Sequence, residues 1–146
     1  MRLLTLILAI LIILIATFLA LNYLLPNTPQ AKINGHTFSL YLAKTAQEQK
    51  VGLAKYKSIA PNQGMLFLFD KADNYSFWMK DMKFPIDIIF ISDNKVVYVF
   101  GNVPVSPNDN LPVYTTKTKA NKVLEINAGL AKKYGIKIGA EVRISL

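Results

Sequence analysis

From Leu3 to Leu25 the chain runs 23 residues without a charge, and only Thr5, Thr17 and Asn22 are polar. At ~1.5 Å of rise per residue, a helix of that length reaches about 35 Å, more than the ~30 Å hydrocarbon core of a bilayer. It lacks the polar stripe that a helix lying on a soluble core carries. The pattern therefore predicts one transmembrane helix over residues 1–25. The apolar region of a cleaved signal peptide is about 7–15 residues and ends in a small-x-small site. Here the run is longer and no such pair stands near Ala16, Ala20 or Pro29, so an uncleaved signal anchor is expected. Arg2 precedes the run and the next cation is Lys32. The positive-inside tendency then puts the N-terminus in the cytoplasm and the remainder outside, as a single-pass protein of the cell membrane.

Beyond the anchor the pattern changes. Residues 26–30, with Pro26 and Pro29, form a stiff linker that cannot continue a helix. Residues 31–146 form one exported domain. Asn34-Gly35 is a hairpin signal, and Thr37 to Leu42 alternates as a half-buried strand does. Thr45 and Glu48 have capping-box spacing, so a short helix is expected from Ala46 to about Lys55. Met65 to Phe69 is apolar throughout, the signature of a central strand covered on both faces. Further strands are expected at Tyr75–Lys80, Ile86–Ser92, Lys95–Phe100, Val123–Ile126 and Lys137–Leu146, with a second short helix from Ala128 to Tyr134. Residues 101–121, containing Pro104, Pro107 and Pro112, are expected to be a long loop, a feature more often functional than accidental. The fold class is thus mainly β: a small sandwich- or barrel-like domain with two short helices, preceded by one transmembrane helix.

Composition narrows the chemistry. The 146 residues include no Cys and one His, which removes disulfides, thiol nucleophiles, lipid-modified cysteines and His-pair metal sites. No cofactor or metal is expected. The formal charge is +8, and excluding Arg2 the domain keeps 16 basic and 9 acidic residues. From Lys117 to Lys137 there are six Lys and one Glu. Such a surface suits anionic lipid headgroups or wall polymers, while an exported domain is not expected to meet nucleic acid. An ordinary solvated face explains the same charges.

The densest chemistry lies in Phe77-Trp78-Met79-Lys80 and Pro85-Ile86-Asp87. On a strand Trp78 and Lys80 share one face, an indole beside an ammonium, which suits an anionic or sugar-like ligand. The plainer reading makes Trp78 core, with Lys80 extended along its edge. Asp87 stands in an apolar strand, where a carboxylate needs a partner. Lys80 is the partner considered, either as a structural ion pair or as the group that tunes Asp87 as a base or ligand acceptor. Glu125 sits likewise among Val123, Leu124 and Ile126. If Asp87 and Glu125 converge, they form a carboxylate pair for hydrolysis. The single histidine, His36, falls at the hairpin turn and is expected in solvent.

Gly64-Met65-Leu66-Phe67-Leu68-Phe69, Phe77-Trp78-Met79-Lys80, Pro85-Ile86-Asp87-Ile88-Ile89-Phe90, Val123-Leu124-Glu125-Ile126-Asn127-Ala128-Gly129 and Gly135-Ile136-Lys137-Ile138-Gly139 together resemble domain-of-unknown-function family 192. The resemblance covers Ile33 to Leu146. It implies a small β-rich domain, often exported behind a signal or anchor, with no established general activity. The family pattern also has Gly-Leu-Met with an arginine two residues later; here the segment is Gly52-Leu53-Ala54-Lys55-Tyr56, so that Met and Arg are missing. Lys55 or Lys57 could replace the charge of that arginine but not its planar fork.

These readings converge on a membrane-anchored extracytoplasmic binding or accessory module for an anionic or glycan ligand of the cell envelope, with Trp78, Lys80 and Asp87 as ligand-binding residues. The alternative is a hydrolase using Asp87 and Glu125. A third reading has Asp87 and Lys80 merely anchoring the sheet.

Overall fold

The computed structural model describes the backbone of residues 2–24, 28–106 and 111–146, and the side chains of 4–20, 28–106 and 111–146. Residues 25–27, where the expected helix meets the expected linker, and residues 107–110 of the expected long loop lie outside the described residues.

The first element is helix α1, Arg2–Leu24. Its described apolar side chains stand exposed, and Thr17 satisfies its hydroxyl within the helix by donating to the carbonyls of Ile13 and Leu14, each at 2.9 Å. Among the described residues no helix is long and apolar enough to cross a membrane. The helix expected over residues 1–25 is thus present, but it does not qualify as the expected transmembrane span.

The domain is built on a seven-stranded sheet. Strands β1 (Gln30–Ile33) and β2 (His36–Ala43) form the hairpin expected at Asn34-Gly35, both of which take positive φ, 48° and 83°. Helix α2 (Ala46–Val51) starts on the expected capping box: Glu48 N–H donates to Thr45 Oγ1 at 3.2 Å, and Thr45 N–H donates to Glu48 Oε2 at 2.8 Å. A 3-10 turn, Gly52–Lys55, continues it. The chain then returns parallel to β2 as β3 (Gln63–Asp73). The remaining sheet strands are β5 (Ile86–Ser92), β6 (Lys95–Val103), β8 (Ala120–Asn127) and β9 (Val142–Ser145), giving the order β6-β5-β8-β3-β2-β1-β9. A one-turn helix α3, Leu130–Lys133, precedes β9.

The sheet curls until its edges approach. Lys95 at the start of β6 bridges Glu141, and Val96 exchanges backbone hydrogen bonds with Ala140 and Gly139 at 2.9 and 2.8 Å. The result is a half-barrel. Within the curl lie Ile33, Phe38, Leu66, Ile89, Ile91, Val96, Leu124, Ile126 and Val142, drawn from both edges and the centre. The other face carries Met65, Phe67, Ile88, Phe90 and Val123. It is covered by a separate two-stranded ribbon of β4 (Ser76–Trp78) and β7 (Val113–Thr115) together with Met79 and Met82. Strands β3, β5 and β8 are therefore buried on both sides, which explains their unbroken apolar runs. The two faces also fix the alternation that matters below, since neighbouring residues of one strand point to opposite cores.

Two expectations need correction. The expected loop 101–121 contains the end of β6, all of β7 and the first residues of β8. Pro104 and Pro112 lie between these pieces, and among the described residues β7 pairs with β4 alone, so nothing in its own sequence marks it as a strand. The final segment is a strand only from Val142; Lys137 to Ala140 is a turn, with the Ala140 N–H donating to the Lys137 carbonyl at 3.0 Å.

Candidate functional site

A pocket of about 300 Å³ opens on the ribbon-covered face. One wall is α2 and the turn after it, with Gln49, Lys50, Gly52 and Leu53; the other is the β4 region, with Tyr75, Ser76, Phe77, Trp78, Lys80 and Met82. Phe67 and Phe69 of β3 and Glu125 of β8 close it between them.

Local structure explains each placement. Gly64 lies directly over β8: a Cβ there would stand 2.7 Å from the Glu125 carbonyl oxygen and 3.0 Å from Ile126 Cγ2. This contact lets β3 and β8 pair with Met65 opposite Glu125. Ile88 flanks Glu125 from β5. Gly52 takes a φ of 52°, and a Cβ there would meet Phe67 Cζ at 3.3 Å and Glu125 Oε2 at 3.9 Å, so the α2 turn sits against the carboxyl. The alternation of β4 sends Phe77 inward, edge-on to Phe67 with centroids 5.0 Å apart, and leaves Trp78 half exposed. Phe69 and Tyr75 stack at 3.6 Å beside them.

Glu125 is the chemically distinctive group. It is only 5% exposed, and among the described residues its carboxyl has no hydrogen-bond or ion-pair partner. Burial raises its pKa from the usual 4.5 to about 8. At pH 7 the protonated form is therefore favoured, and a cation brought alongside would favour loss of the proton. Lys50 and Lys80, both exposed, supply the positive charge at the pocket. Lys55 and Lys57, which could replace the family's arginine, do not line it. Tyr56, two residues after Ala54, stacks instead on Tyr41 at 4.6 Å.

Asp87 lies elsewhere. It pairs across the sheet with Ile126, and Glu125 with Ile88, so the two carboxylates are one residue out of phase and point to opposite faces. Asp87 is fully buried. Its Oδ1 accepts from the N–H groups of Asn102 (2.7 Å) and Gly129 (3.0 Å), and its Oδ2 from Ala131 N–H (2.7 Å). Those bonds tie β5 to the end of β6 and to the first turn of α3. Asp87 therefore needs no Lys80, which stands on the other face. The structure brings together Trp78, Lys80 and Glu125, and it separates Asp87 from all three. His36 is exposed as expected, with its ring stacked on Tyr134 at 3.7 Å.

Lys50, Gly52, Phe67, Phe69 and Tyr75 are pocket residues that the sequence reading did not assign. The alternation within Met65–Phe69 places Phe67 and Phe69 on one face, which was the available signal. The approach of α2 to that face has no local signal.

Similarity to known proteins agrees with the architecture. A protein of unknown function from Novosphingobium aromaticivorans DSM 12444 superposes with a TM-score of 0.72 at 33% identity, covering 78% of this chain and 83% of that one. A Sinorhizobium meliloti 1021 protein, named as a candidate transcription regulator, superposes with a TM-score of 0.73 at 28% identity, covering 80% of this chain and 93% of that one. No curated protein matches the chain. The DUF192 family model, described as uncharacterized ACR, matches residues 29–144, and the chain belongs to that family.

Proposed function

We propose that this protein is a ligand-binding module of the cell envelope, held to the membrane by its N-terminal helix, with the pocket beside Trp78 as its site. The observation that carries the reading is the make-up of that pocket: an apolar, aromatic interior, an indole and two ammonium groups around it, and one buried carboxyl. This is the usual composition of a small-molecule site, in which an apolar lining supplies affinity and a few polar groups set orientation. Lys50 and Lys80 favour an anionic group, and Trp78 offers a stacking surface for a ring or sugar. The charge-free run from Leu3 to Leu25, about 35 Å as a helix, is the basis for membrane attachment. Arg2 ahead of it supports an extracytoplasmic position for residues 31–146.

The paired-carboxylate hydrolase draws no support from the geometry, because Asp87 and Glu125 occupy different cores and Asp87 is saturated by backbone donors.

The test is a thermal-shift panel of anionic and glycan envelope components on the full-length chain. The reading expects at least one component to raise the melting temperature, and Trp78→Ala and Lys80→Gln to remove that rise. A panel without any shift, or a shift that both variants retain, contradicts it.

A further inference from the structure

We propose that the pocket takes a zwitterion, with a quaternary ammonium at Glu125 and an anionic phosphate or carboxylate at Lys50 and Lys80. This deepens the binding-module reading and rests on it.

The argument starts at the deep end. Glu125 is 5% exposed as a residue, its carboxyl has no partner among the described residues, and its oxygens reach the pocket of about 300 Å³ rather than being sealed off. Gly52 and Phe67 lie against it, and neither side chain holds a hydrogen-bond donor. Of the polar groups elsewhere on the pocket wall, the Gln49 amide, the Tyr75 hydroxyl and the Ser76 hydroxyl already bond to Leu68, Lys71 and Thr115, so a group arriving at the carboxyl meets chiefly that carboxyl and aromatic rings. A sugar ring would leave several hydroxyls unpaired, at about 1–3 kcal/mol each. A primary ammonium has three N–H donors to satisfy around a single carboxyl. A quaternary ammonium has none; its charge is matched by the carboxylate and by ring faces, and its methyl groups pack on apolar surface. The outer end selects differently, since Lys50 and Lys80 have no anionic partner among the described residues. One molecule carrying both groups satisfies both ends.

Proton linkage follows from the same geometry. The titratable groups sharing the pocket with Glu125 are Lys50 from α2, Tyr75 ahead of β4 and Lys80 after it; the 3-10 turn, β3 and Met82 contribute none. Burial holds the proton on the empty site, and a bound cation displaces it, so binding releases about one proton per ligand below pH 8.

The experiment is calorimetry on the full-length chain in phosphatidylglycerol nanodiscs, with phosphocholine, phosphoethanolamine and inorganic phosphate as probes from pH 6 to pH 8. The expected result is that phosphocholine binds most tightly, with affinity rising about tenfold from pH 6 to pH 7 and with proton release. Glu125→Gln should weaken phosphocholine by at least tenfold at pH 7.5 and leave inorganic phosphate unchanged, while Lys50→Gln with Lys80→Gln should weaken both. Repeating the titration in phosphatidylcholine nanodiscs identifies the source. Loss of the heat there means that a lipid headgroup fills the pocket, and retention means a soluble ligand; either agrees with the proposal. Inorganic phosphate binding as tightly as phosphocholine overturns the ammonium assignment and leaves the anion-binding module standing. No binding by any probe at 10-mM concentrations, about the weakest affinity a site of use would show, overturns both.

Discussion

Replacing Glu125 with Gln removes a titration from the core while keeping nearly the same shape. In the native protein the carboxyl holds its proton up to a pH of about 8, whereas in the unfolded chain it loses that proton near the usual 4.5. Between those values unfolding releases a proton, so stability falls as pH rises through this window and is level on either side. The slope is about 1.4 kcal/mol per pH unit, and the accumulated loss reaches about 3 kcal/mol at pH 7 and about 5 kcal/mol above pH 8. The glutamine variant has no such slope at this position. Its amide brings a fixed cost of about 1–3 kcal/mol for unpaired N–H groups, which displaces the curve without tilting it. Urea denaturation of full-length wild type and Glu125→Gln at half-unit steps from pH 4.5 to 8.5 measures the difference. The variant should gain on wild type steadily across the window, by about 3 kcal/mol of unfolding free energy at pH 7 relative to pH 4.5. Parallel curves would refute the reasoning, because they would mean that Glu125 ionises as freely in the fold as outside it.

Asp87→Asn should destabilise the domain by about 2–4 kcal/mol in chemical denaturation, since an amide cannot accept all three backbone N–H bonds and turns a donor toward one of them; a loss below 0.5 kcal/mol contradicts the anchoring role. Gly64→Ala should cost about 3 kcal/mol by pushing β3 off β8, because the new Cβ meets a backbone oxygen that cannot swing aside; a neutral result in the same assay refutes that contact. Alkaline carbonate extraction should leave the full-length chain in the membrane pellet, and its appearance in the supernatant contradicts the anchor.

Elements with local causes were readable in advance. The Asn34-Gly35 hairpin and the Thr45–Glu48 capping box depend on residues at most three apart, and both form where their sequence places them. The apolar run Met65–Phe69 marked a central strand correctly, because only a strand buried on both faces has no polar side. The site was less legible. Trp78 and Lys80 could be placed on one face by alternation, and both reach the pocket. The relation of Asp87 to Glu125 depends on β5–β8 register, and a shift of a single residue decides whether the two carboxylates meet or lie on opposite faces. The partners of Asp87 are backbone N–H groups, which every residue except proline possesses and which therefore leave no trace in side-chain identity. Strand β7 escaped because three residues between polar stretches carry too short a pattern, and its pairing partner is 35 or more residues away.

The central claim is that the pocket beside Trp78 is the ligand site, and Trp78 is the only tryptophan of the chain. Its fluorescence in the full-length protein, followed while phosphocholine is added at pH 7.5, reports on that pocket alone. The account predicts a saturable change in emission, with the same midpoint as the calorimetric binding and absent in Glu125→Gln. Emission that stays constant through a calorimetrically measured binding event would place the ligand elsewhere and contradict it.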